Sequence, residues 1–510
     1  MKFSLLGKPL WFAVLLFAAL YPQAPLYTDN QNTKFLHGAA SAGWGQLGAD
    51  WTANTLDPLP VFTALVEAVY RWLPTGTFHA LFAILVAVYA WAVIGIIRRV
   101  HPAGLEGSTA WIFAALFVFL HFTPLNDELL DGVAKQYILD HYIQPCVLGV
   151  FVLLAIRLML DNRNLPAALC LAVAVLFHPG AYLMTAGLIL VVMFWLALRQ
   201  KTPFLRAAVP VIVFAALLAP LGIYQAYAFA PTSPETWRQA IDILSNQRIP
   251  HHTKVDSWLD AGNVARLAVL VWVCWLLRGS RPLFAVMATL TGFVLVSTVV
   301  LLIVPDAAAT FSTPWRVTAV LMPIAMVILI HRLSLALAAW CQRRELSYAR
   351  TRGAALAVIV VLSAFAVFQT LNGQKEYDAE KSSGVIRHAR DTAGEGQLYL
   401  VPPRKPDFDH FRLESGVPIL ANWKSHPYLD VEVIEWYGRI LAADRLYKAK
   451  DAASRNQAAR QLIDQYGITH LVVQNRVTLD LPGLVEVHTD PHYRVYKVAS
   501  GQSGPTLQAP

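Results

Sequence analysis

Apolar residues run along most of the chain in long blocks separated by short polar breaks, then shorten to strand length near the end. A helix needs about 20 mostly apolar residues to cross a hydrocarbon core. Blocks that approach this length lie at 9–26, 77–97, 109–124, 141–160, 164–179, 181–198, 205–230, 263–279, 283–304, 316–333 and 354–371. The stretch 58–72 is apolar but interrupted by Glu67 and Arg71, and predicts an amphipathic helix lying in the membrane interface. Lys2 and Lys8 precede the first block, which ends in Tyr21-Pro22-Gln23-Ala24-Pro25 without a small-residue cleavage site. It therefore reads as an uncleaved anchor.

From about residue 372 the charges become frequent. Short apolar runs at 397–401, 417–420, 469–473 and 493–498 predict strands, and 430–447 and 451–466 have helical spacing. Tyr466-Gly467-Ile468 predicts a glycine-capped helix end leading into a buried strand. The expected fold is an α-helical polytopic membrane protein of about eleven transmembrane helices with a small C-terminal α/β domain. Its expected organisation is a transmembrane domain over 1–372, with outer loops 27–57, 125–140 and 231–262, an α/β domain over 373–500 and a loose tail over 501–510.

Composition narrows the class. Of 510 residues, 56% are hydrophobic and 15% charged, and mean hydropathy is +0.47. Soluble domains average about 25% charged residues, so disorder, a coiled coil and an ordinary cytosolic enzyme are excluded. The net charge of +8 comes from Lys and Arg gathered in alternate loops, at Arg98 and Arg99, Arg163, Arg199 and Lys201, Arg278 and Arg281, and Arg343 to Arg352. That bias puts those loops and the N-terminus in the cytoplasm, and eleven spans then put the C-terminus outside. No basic stripe is interleaved with aromatics, so nucleic acid is not an expected partner. The four cysteines show no CxxC spacing, which argues against a disulfide or zinc framework.

Candidate chemistry collects in the loops of one face. The loop 27–57 carries Asp29, Asn30, Lys34, His37 and Asp50. Asp29 follows the first span directly. A carboxylate held there suits a general base, a ligand to a phosphate-bound metal, or a plain helix cap. The second loop adds Asp127, Glu128, Gln136 and His141, whose acids are either metal ligands or a solvated face. His178, with Tyr182 beyond Pro179 and Gly180, breaks two apolar runs on the same side. His251 and His252 lie near Arg and Lys, which suits a phosphate; adjacent histidines lack zinc-ligand spacing. Arg316 is placed either to clamp a lipid phosphate or to snorkel. In the tail, Lys424 and Trp436 belong to a dense polar and aromatic group suited to a sugar ring or to docking the tail onto the membrane domain.

This arrangement resembles the GT-C class of integral-membrane glycosyltransferases: an inner N-terminus, many spans, a long first outer loop with an acid directly after the first span, and a soluble C-terminal domain outside. The resemblance implies that Asp29, with Asp50 as second choice, is catalytic. It also implies a sugar, hexosyl or pentosyl, drawn from a polyprenyl-phosphate carrier in a bacterial inner membrane; the acids of the second loop, Asp127 and Glu128, are the candidate ligands of a divalent cation (Mg or Mn). The chain is also similar to a set of bacterial polytopic proteins without an assigned activity. That likeness rests on Asn30-Gln31-Asn32-Thr33-Lys34-Phe35-Leu36, Gln136-Tyr137 with Gln144-Pro145, Phe177-His178-Pro179, Asn422-Trp423-Lys424-Ser425-His426-Pro427-Tyr428 and Glu435-Trp436-Tyr437-Gly438-Arg439. Two other functions fit the same topology: a transporter or flippase, and a scaffold whose outer domain binds a partner. The oligomeric state, the sugar and the acceptor are not readable from the sequence.

Overall fold

The computed structural model describes residues 8–101, 104–304, 309–310 and 313–499; the tail expected over 501–510 lies outside them. The chain divides into two compact units. The first comprises 1–24, 78–224 and 249–372, and the second 25–77, 225–248 and 373–510. The division is not linear, because the loop 27–57 groups with the C-terminal segment.

The first unit is helical. Among the described residues, Thr77–Val100, Pro179–Arg199, Phe204–Ala228, Arg281–Ile303, Pro314–Arg343 and Tyr348–Asp378 are long and apolar enough to cross a membrane. Five shorter apolar helices accompany them: Leu10–Leu20, Gly107–Phe122, Pro145–Leu160, Asn164–Phe177 and Ala261–Leu276. Each overlaps one of the predicted blocks. The chain is a multi-pass membrane protein. His178-Pro179 ends one helix and starts the next, because proline tolerates the first helical turn but cannot continue a helix. Within the bundle, Phe17 stacks on Phe122 at 5.2 Å and tilts against Phe117 at 5.1 Å. The buried His121 is satisfied on both nitrogens, Nδ1 against the Phe117 carbonyl (2.7 Å) and Nε2 against the Tyr89 hydroxyl (2.9 Å). That pairing meets the cost of an apolar site.

The second unit contains a four-stranded sheet of order β1-β2-β4-β3, with β1 Tyr399–Leu400, β2 His470–Gln474, β3 Leu484–Thr489 and β4 Tyr493–Val498. β1 runs parallel to β2, and β4 is antiparallel to both β2 and β3. Helices Asp430–Lys448 and Ala452–Tyr466 cover the sheet with Ala443, Leu446, Leu462 and Ile463 against Leu400, Leu471 and Val473. Asp451 caps the second helix by accepting from the Ser454 amide (2.8 Å), and Gly467 ends it at φ +68°, a conformation that glycine takes without strain. The predicted strand at 417–420 forms only a bridge from Ile419 to Tyr399.

One expectation is corrected. Helix Pro60–Trp72 does form, but its apolar face is not turned to lipid. Phe62, Val66 and Val69 are buried, and Val66 sits over Gly38 of helix Leu36–Ser41. Of its large apolar residues only Trp72, at the end of the helix, stays exposed, followed by the exposed Leu73.

Candidate active site around Asp29

The turn that carries Asp29 has an unusual backbone. Tyr27 and Asp29 sit at φ +68° and +45°, the left-handed region that non-glycine residues seldom occupy. The Gln31 side chain holds the turn by accepting from the Tyr27 amide at 2.7 Å. The short helix Gln31–Lys34 follows at once. This geometry leaves the Asp29 carboxylate exposed, where it forms an ion pair with Lys424.

The segment around Lys424 is fixed from several sides within the same unit. Its carbonyl accepts from Arg248 Nη2 (2.9 Å) and from the Thr33 hydroxyl (3.2 Å). Ser425 Oγ donates to the Asn32 carbonyl (3.1 Å), and Lys34 Nζ donates to the Tyr428 hydroxyl (2.8 Å). Burial, with Arg248, Lys34 and Lys424 adding to it, pushes His426 down to about 3 and keeps its ring neutral. Burial lifts Asp409 to about 6, against the opposing pull of Lys424, a hydrogen bond from Asn422 and Arg248. Lys424 and Arg248 thus act on two carboxylates, one exposed and one partly buried, and Lys34 stands on the neighbouring Tyr428. This arrangement can accept a proton at Asp29 and meet an anion with the surplus positive charge.

Other predicted residues of this unit serve packing. Asp50 is fully buried: Oδ1 accepts from the Ala53 amide (2.8 Å), while Oδ2 accepts from the Ile419 amide (3.1 Å) and pairs with the buried Arg412 (2.9 Å). Its burial and its full set of partners do not suit the expected role of second base. Trp436 is likewise core, donating to the Asn422 carbonyl (3.0 Å). His37 lies against the Thr55 carbonyl (3.0 Å), with its pKa lowered by burial. Asn30 accepts the Lys34 amide (2.9 Å) on its carbonyl and caps Gln31–Lys34 without a side-chain bond.

In the first unit, the structure brings Gln136 and His252 together, Nε2 to Nδ1 at 3.1 Å, and His251 packs ring to ring with His252. His141 contacts the Pro22 carbonyl (3.2 Å). Tyr182 donates to the Cys146 carbonyl. His178 accepts on its carbonyl from the Ala181 and Tyr182 amides (3.2 Å each). Arg316 lies in the turn Pro314–Val317 beside Gly180. Asp127 and Glu128 are exposed, and among the described residues no three His, Cys, Asp or Glu gather as a metal site. Glu128 faces Arg266 (3.7 Å). Asp127 and Glu128 thus offer two carboxylates without a third protein donor beside them among the described residues, and Asp29 pairs with Lys424.

Two members of the cluster were not on the sequence-based list. Asp409 follows an ordinary Pro-Asp-Phe turn and carries no local signal. Arg248 sits in the 231–262 loop, where the histidine pair drew attention instead. The signal was its place among the basic residues beside that pair, with Arg238 and Lys254.

Comparison with known proteins gives a partial picture. Residues 380–443 match the family model "Domain of unknown function (DUF6798)". No curated protein matches by sequence. The fold is similar to ArnT from Cupriavidus metallidurans bound to undecaprenyl phosphate: 12% identity, 98% of each chain covered and a TM-score of 0.48. The apo form of the same protein gives 12% identity, 98% of each chain and 0.47. The oligosaccharyltransferase of Archaeoglobus fulgidus, in complex with Zn and sulfate, gives 11% identity over 91% of this chain and 67% of that one, with a TM-score of 0.44.

Proposed function

We propose that the chain is a membrane glycosyltransferase that moves a sugar from a polyprenyl-phosphate carrier to an acceptor hydroxyl at the outer face of a bacterial inner membrane. The observation that carries the reading is the meeting of Asp29 with Lys424, far apart in sequence, in a segment that Arg248 also bonds and where Lys34 holds Tyr428. Shared architecture alone would specify no reaction. Asp29 takes the proton of the acceptor hydroxyl as its oxygen attacks the anomeric carbon. The bond from that carbon to the carrier phosphate breaks, with inversion. The leaving phosphate takes the electron pair, and Lys424, Lys34 and Arg248 neutralise it. Arg316, with His251 and His252, is the candidate phosphate contact of the first unit. Asp127 and Glu128 are assigned no metal.

The test is release of free polyprenyl phosphate from hexosyl and pentosyl polyprenyl-phosphate donors by purified protein. Asp29→Asn, at equal expression, should lower release by about 10²–10⁴-fold, the usual weight of a positioned base. Asparagine tolerates the left-handed turn, so the fold should survive. Unchanged release in that variant would sink the reading.

A further inference from the structure

A second feature, independent of the proposed transfer, lies within the membrane unit. Gly107–Phe122, Ala261–Leu276 and Pro314–Arg343 enclose an open cavity of about 780 Å³. Its walls are almost entirely apolar. Met326, Leu329, Leu333 and Ala336 recur three or four positions apart and form one stripe of their helix. Phe119 and the largely exposed Trp272 and Trp275 complete the walls.

Two charges interrupt this lining, Arg278 and Arg332. Both are exposed, and no carboxylate is paired with either among the described residues. Arg278 lies over the Trp275 ring at 4.4 Å, a stacked position that leaves the edge of its guanidinium for another partner. The stripe from Met326 to Ala336 extends about 15 Å along its helix, half the thickness of a hydrocarbon core. An apolar trough lined by two guanidinium groups, with no carboxylate paired to either among the described residues, has the charge and the walls of a site for an anionic diacyl lipid.

We propose that this groove binds an anionic glycerophospholipid. Arg278 and Arg332 hold its phosphate, and its acyl chains run from there along Leu329 and Met326 and against Phe119 and Trp272. A polyprenyl phosphate offers the same headgroup chemistry on a single long chain, where the two walls suit a pair of acyl chains. A second copy of the chain is the other occupant that the apolar walls could accept.

Native mass spectrometry of the full chain, titrated separately with phosphatidylglycerol, phosphatidylcholine and undecaprenyl phosphate, tests the proposal. Phosphatidylglycerol should bind most tightly. Arg278→Gln with Arg332→Gln should weaken it about thirtyfold, roughly fivefold per arginine, and leave phosphatidylcholine unchanged. Ala336→Trp, which fills the trough and keeps both arginines, should also weaken phosphatidylglycerol. Arg278→Lys with Arg332→Lys should retain most of the binding and so separates lost charge from lost folding. Equal binding of phosphatidylglycerol by the glutamine variant and wild type overturns the site. So does tighter retention of undecaprenyl phosphate, or a dimer that excludes lipid.

Discussion

Asp409 shows how a single carboxyl reports its surroundings. Its ordinary value is 3.8, and burial lifts it to about 6 in the folded chain. The folded state therefore holds this proton more tightly than the unfolded chain does. The contribution to stability is complete below about pH 4 and is lost as pH rises through about 6. Asp409→Asn should accordingly stabilise the protein by about 2 kcal/mol at pH 7.5 and change little at pH 4. Thermal unfolding in detergent across that range reads the difference, and a gap that stays constant with pH would count against the assignment. Asp50 and Arg412 make the opposite case. Each is buried, and each is the other's counter-charge. Removing one leaves the other uncompensated, so Arg412→Ala should cost about 3–5 kcal/mol in an unfolding titration.

At the scale of elements, packing decides what periodicity leaves open. The long apolar blocks were legible because a run such as 77–97 has one physical use, and the helix Thr77–Val100 follows it. Gly467 was legible as a helix end because tyrosine, glycine and a buried strand follow in order. Strand β3 was missed because Val485 and Val487 point to solvent at a sheet edge, and the alternating burial that marks a strand is lost there. Helix Pro60–Trp72 was legible as amphipathic, but amphipathicity does not say whether lipid or protein meets the apolar face. Gly38 supplies the answer: a Cβ there would lie 2.6 Å from that of Val66 and 2.8 Å from the Thr63 carbonyl oxygen. Gly38→Val should therefore cost about 1–3 kcal/mol through overpacking, seen as a lower melting temperature. Gly48→Val, with nothing within reach of its Cβ, serves as the control.

At the scale of the whole molecule, the second unit is assembled from segments distant in sequence. Trp44 Nε1 donates to the Leu413 carbonyl (2.8 Å), the Gln46 amide donates to Gly416 (2.7 Å), and Thr33 and Ser425 hydroxyls meet at 3.3 Å. Paired cysteines at Thr33 and Ser425 should therefore oxidise readily to a cross-link that peptide mapping detects. Failure to form it would argue against this pairing. The same long-range construction explains why the site was only half visible in sequence. Asp29 stood out by its place after a span, but nothing near it announces Lys424 or Asp409. The order of synthesis follows from it too. Asp50 accepts a hydrogen bond from an amide 369 residues further along. At the usual pace of translation, about 5–20 residues per second, that carboxylate spends about 20–70 s with only the local Ala53 amide, before Arg412 and Ile419 exist. Nonsense mutations late in the reading frame would make the wait permanent, so such products should be cleared by quality-control proteases even with every preceding span intact.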